Sequence, residues 1–116
     1  MHEFSVASSL LLLVARHADA HDARRVVRVH VRVGEQCGVE PELLRAAWER
    51  VREGSAAEGA ALAMEAVPVR WECRACAQPL AADAGVHCAI CGGPADLSAG
   101  LELLLDRIEL EVDGRV

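Results

Sequence analysis

Aromatic residues are scarce: the 116-residue chain has no tyrosine, one phenylalanine (Phe4) and two tryptophans (Trp48 and Trp71). Proteins that hold single-stranded nucleic acid stack its bases on aromatic platforms within a basic groove. This chain lacks such platforms, its formal charge is -6, and its basic residues are scattered, so nucleic acid is excluded as a partner. Long apolar runs are missing as well. The run from Leu10 to Ala15 is interrupted by Arg16 and His17, and no stretch approaches the roughly 20 apolar residues needed to span a bilayer. Ahead of that run stand Glu3 and no Lys or Arg, the reverse of a secretory leader. The expectation is a soluble, cytoplasmic protein with no membrane partner.

The common catalytic signatures are absent too. His2-Glu3 opens like the zinc-protease motif H-E-x-x-H, but Val6 stands where the second histidine must fall. No histidine has Glu two residues later, as a zinc deaminase would require upstream of its cysteine pair. Glycine-rich phosphate loops are also missing. No enzymatic activity is expected.

What the chain does have is a cysteine pattern. Cys73, Cys76, Cys88 and Cys91 form two C-x-x-C pairs separated by residues 77–87, a spacing that lets four thiolates close around one tetrahedral ion. Structural zinc is the reading this favours; disulfides in an oxidising compartment, or iron in the same four-sulfur geometry, remain the alternatives. Four sulfurs leave no open position for water, so such a metal staples the fold and does no Lewis-acid chemistry. The fifth cysteine, Cys37, makes the count odd, which suits a reducing compartment, and its plainest role is a small buried hydrophobe.

Periodicity places the remaining elements. Ala7, Leu10, Leu11, Val14 and Ala18 recur at helical spacing from a start near Glu3. Val27, Val29, Val31 and Val33 alternate with Arg28, His30 and Arg32, a strand buried on one side. Pro41 suits the first turn of a second helix with an apolar stripe of Leu43, Leu44, Ala47, Trp48 and Val51, stopped by Gly54-Ser55. Ala61 to Val67 reads as a second strand, left at Pro68, and residues 103–112 read as a long final strand. If that strand lies beside the first, Arg28 and Arg32 face Glu109 and Glu111 across an exposed sheet surface. A solvated charged face is the alternative.

The amino terminus offers a different chemistry. Met1-His2-Glu3 places an amine, a backbone amide and an imidazole within chelating reach, and small rings close through the amide of His2. Nitrogen-rich planar coordination suits nickel(II) or copper(II), whereas zinc favours tetrahedral mixed ligands, so the two sites would sort metals by geometry. Because the amine and amide must lose protons, binding weakens as pH falls, which suits a carrier.

Taken together, Met1-His2-Glu3, Val33-Gly34-Glu35, Pro41-Glu42-Leu43, Glu58-Gly59-Ala60, both C-x-x-C pairs and Gly100-Leu101-Glu102-Leu103 resemble the HypA/HybF family of hydrogenase-maturation nickel chaperones. The resemblance covers nearly the whole chain. It implies transferable nickel(II) held by His2, with the amine of Met1 and with Glu3 supplying backbone nitrogen or a tuning carboxylate. It further implies structural zinc(II) on Cys73, Cys76, Cys88 and Cys91. The implied partners are the GTP-hydrolysing nickel insertase HypB and the large subunit of nickel-iron hydrogenase, and urease accessory proteins for members that also serve urease.

The departures from the family are an acidic, aromatic-poor metal module and Ala89 after the third cysteine, where proline is frequent. Neither touches a ligand; both bear on partner contacts. The expected fold is α+β, a two-layer arrangement of two helices on a small mixed three-stranded sheet, with a four-cysteine zinc-ribbon-like module before the last strand. The domains would be residues 1–68 with 101–116 for nickel and 69–100 for zinc. The competing reading is a zinc-ribbon adaptor that binds proteins and carries no nickel; a third is an iron-sulfur electron carrier.

Overall fold

A computed structural model describes residues 2–75, 79–80 and 93–113. In chain order it contains α1 (Glu3–Ala20), β1 (Arg25–Gly34), α2 (Pro41–Val51), β2 (Ala61–Val67), β3 (Arg70–Cys73), β4 (Pro79–Leu80), β5 (Ala95–Ala99) and β6 (Leu103–Glu111). They form two three-stranded sheets, ordered β2-β1-β6 and β4-β3-β5. The chain divides into two compact units, Met1–Arg32 with Val39–Glu65 and Leu104–Val116, and Val33–Gly38 with Ala66–Leu103.

The sheet β2-β1-β6 is mixed, as expected. At one end of β1 the N–H of Arg24 donates to the carbonyl of Glu111, and at the other end that of Gly34 donates to Glu102, so β6 runs antiparallel to β1. On the other edge Val26 donates to Ala56 and Glu35 to Val67, so partners advance together and β2 runs parallel. Two parallel strands need a crossover, and α2 supplies it. Pro41, with no N–H to leave unsatisfied, opens that helix.

The first unit is built around the buried stripes of its helices. On α1 the stripe is Glu3, Ala7, Leu10, Val14 and Ala18; Leu11, expected on it, is only half-buried. On α2 Leu44, Ala47 and Trp48 are buried, while Leu43, expected on the stripe, is 54% exposed. One residue of helical rotation separates it from Leu44 and turns it outward. Trp48 is fully buried, and its indole N–H donates to the carbonyl of Ala60 at 2.9 Å, a bond that ties α2 to the entry of β2.

β1 alternates as read from Val29 through Val33, but its beginning is out of phase. Val26 is buried and Val27 only half-buried, because the strand enters with Val26 hydrogen-bonded to Ala56. The charged face is likewise occupied differently from the expectation. β6 does lie beside β1, yet Arg25 pairs with Glu111 at 2.7 Å and His30 with Glu109 at 2.5 Å, while Arg32 reaches across to Glu65 of β2 at 3.1 Å.

In the second unit β3 is the central strand, antiparallel to both neighbours, with Trp71 opposite Leu80 and Leu97, and Cys73 opposite Ala95. Two motifs of the sequence meet there. A Cβ on Gly34 would lie 2.3 Å from the carbonyl oxygen of Gly100, and Gly100 itself has φ +102 with Val69 Cα 2.7 Å from its would-be Cβ. Both positions require glycine, because the obstructing atoms are backbone. The flanking residues complete the knot: Val69 donates to the Glu35 carboxylate at 2.6 Å, Gln36 to the carbonyl of Gly100 at 2.7 Å, and Gly100 to the Glu102 carboxylate at 2.6 Å. Among the described residues no helix is long and apolar enough to cross a membrane.

Candidate metal centre

His2 is the N-cap of α1. Its carbonyl accepts the N–H of Val6 at 2.8 Å, the first rung of the helix. Its own amide lies before that ladder, so drawing the amide nitrogen onto a metal breaks no helical hydrogen bond. The imidazole is exposed and makes no capping hydrogen bond, which leaves both ring nitrogens available. Met1 lies outside the described residues.

Glu3 behaves unlike an ordinary first-turn carboxylate. It is 6% exposed and occupies the first place of the buried stripe of α1. Its carboxylate accepts the N–H of Glu40, the N-cap of α2, at 3.0 Å. Hydrogen bonds to its ionised form, that from the Glu40 N–H foremost, hold the Glu3 carboxyl at about 2, against an ordinary 4.5. Glu3 is therefore ionised at neutral pH and anchored in the first turn of α1, where its negative charge suits the positive pole of the helix. Sequence periodicity did not identify Glu40 as the partner. The readable signal is a carboxylate four residues before Ala7, in register with the apolar stripe.

Of the four candidate zinc ligands, Cys73 is described, and Cys76, Cys88 and Cys91 lie outside the described residues. Cys73 is the last residue of β3 and is 2% exposed. The chain turns immediately after it at Arg74 and Ala75, as a C-x-x-C knuckle requires. Arg74 is fixed twice: its N–H donates to the carbonyl of Pro94 at 3.0 Å, and its guanidinium grips Asp96 with Nη2 at 2.7 Å from Oδ1 and Nε at 3.1 Å from Oδ2. The forked pair pulls the Asp96 carboxyl below its usual range. A buried thiol at a strand end, followed by a turn pinned to the neighbouring strand, is a framework that fits a sulfur-ligated metal. Cys37, expected to be buried, is half-buried in the turn after β1, where its N–H donates to Gly34.

The chain is similar to known proteins along nearly its whole length. A family model described as hydrogenase/urease nickel incorporation, metallochaperone, hypA matches residues 1–110. The chain is 36% identical to the hydrogenase maturation factor HypA of Wolinella succinogenes, over 97% of this chain and 98% of that protein. It is also 36% identical to the hydrogenase maturation factor HypA of Aquifex aeolicus, over 97% and 100%. Its fold is similar to the solution structure of the Ni metallochaperone HypA from Helicobacter pylori, with TM-score 0.75, 32% identity, and 97% of this chain and 100% of that one covered. A second HypA solution structure gives TM-score 0.77 at 34% identity, covering 95% and 96%. The motifs, the fold and these likenesses converge: the chain belongs to the HypA family of hydrogenase and urease nickel-incorporation metallochaperones.

Proposed function

We propose that this chain carries nickel(II) at its amino terminus, on the imidazole of His2 with the amine of Met1 and backbone nitrogen, and that Glu3 tunes the site through its anchored charge. The observation that carries the reading is the pairing of an exposed, uncommitted His2 with a buried, ionised Glu3 at the start of one helix. Nitrogen donors that must shed protons give a site whose grip loosens in acid, in keeping with cargo that is handed on.

Zinc is assigned a structural role on Cys73, Cys76, Cys88 and Cys91, and supplies only the cross-link when bound. No catalytic activity is assigned to the chain. Its cargo passes to the HypB GTPase and then to the hydrogenase large subunit, with urease accessory proteins as further recipients, in the cytoplasm. The test is equilibrium nickel binding by the zinc-loaded protein and by His2→Ala. Loss of one tightly bound equivalent in the variant supports the assignment; undiminished binding moves the function to a zinc-stapled adaptor.

A further inference from the structure

We infer a second divalent-metal site at the far end of α1, formed by His17 and His21 and suited to nickel(II) or another late transition ion that favours imidazole. The two residues are four apart, one in the last turn of the helix and the other its C-cap. Side chains so spaced have Cβ atoms about 5–6 Å apart, and zinc-protease helices use the same interval to close two imidazoles on one ion.

The tautomer of His21 follows from its partner. Nδ1 lies 2.8 Å from the carbonyl oxygen of His17, and because a carbonyl can only accept, Nδ1 carries the proton. The lone pair of the neutral ring is then on Nε2. Metal-bound histidines are commonly held this way, with one nitrogen donating to a carbonyl and the other facing the ion.

Both histidines are exposed and line a groove of about 430 Å³ whose other wall includes Asp106 and Arg107 of β6. There is room for an ion with several waters. Arg107 offsets Asp106, so the negative pole at the end of α1 is what favours a cation. Among the described residues no three His, Cys, Asp or Glu gather into a complete ligand set, so the chain supplies two nitrogens and water fills the remaining positions. Such a site is weak and exchanges readily.

It is also physically separate from the amino-terminal site. His2 and His21 cap opposite ends of the 18-residue helix, about 27 Å apart, so no single ion can bridge them. The inference does not rest on the assignment of His2, and its test is carried out without that residue.

Zinc-loaded His2→Ala protein is titrated with nickel(II) chloride while the imidazole ring signals are followed by NMR. The expected result is broadening confined to His17 and His21, and a binding isotherm weakened about tenfold or more by the further change His17→Gln, since even an outer partner of a ligand costs that much. His17 is exposed and donates no cap, and the ring signals of unaltered His2→Ala protein give a reading that needs no change in the groove. Broadening absent from both rings, or an isotherm unchanged by His17→Gln, would overturn the site.

Discussion

Glu3 and Glu109 show how a single carboxylate can serve different ends. Glu3 is buried and held by backbone N–H groups, so its charge is fixed in place. Glu109 is partly exposed and owes its lowered pKa first to the hydrogen bond from His30, then to the nearby arginines Arg28 and Arg107. A carboxyl depressed on folding adds stability above its ordinary range, and that stability is lost as pH falls through the depressed value. Glu109→Gln should therefore lower the urea midpoint near neutral pH, and the gap from the parent should close in acid below the ordinary 4.5. The difference between the two proteins is the readout; a gap that fails to narrow as the pH falls below the ordinary 4.5 would contradict the pairing. The cysteines were legible as candidates because their chemistry follows from residue type and spacing, whereas His2 was a weak signal by itself and Glu3 entered only through the family resemblance. The partners Glu40 and His30 were not legible, because each lies dozens of positions from the carboxylate it meets and only the folded chain brings them together.

At the scale of elements, both helices and the strands β1, β2 and β6 were readable from hydrophobic period, because each buries one face against the core. β3, β4 and β5 were not: they are short, and in the sequence they are interrupted by the C-x-x-C pairs and a glycine pair. The errors within readable elements have one physical origin. Burial depends on rotation and register, so Leu43 turned outward and Val26 replaced Val27 without any change in composition. Trp48 is where α2 is most committed, being fully buried and bonded to Ala60. Trp48→Ala should cost about 3–5 kcal/mol of stability in denaturant unfolding, from lost burial and a poorly filled cavity. A loss well under 1 kcal/mol would show that α2 does not depend on this anchor.

For the whole molecule, His2 and Glu3 lie in one compact unit and Cys73 in the other. The first unit has a core of its own in α1, α2 and β1; the second has few large buried side chains among its described residues and depends more on a cross-link. Cys76→Ala should release zinc, measured by metal analysis of the dialysed protein, and lower the unfolding midpoint; full zinc retention would remove Cys76 from the ligand set. Under the proposed function nickel is held by the Met1 amine and backbone nitrogen as well as by the His2 imidazole. The most direct measurement is calorimetric nickel titration of zinc-loaded protein carrying a short extension before Met1, with His2 intact, beside the untagged parent. We predict that the parent binds one tight equivalent and the extended protein loses it; tight binding preserved in the extended protein would contradict the account.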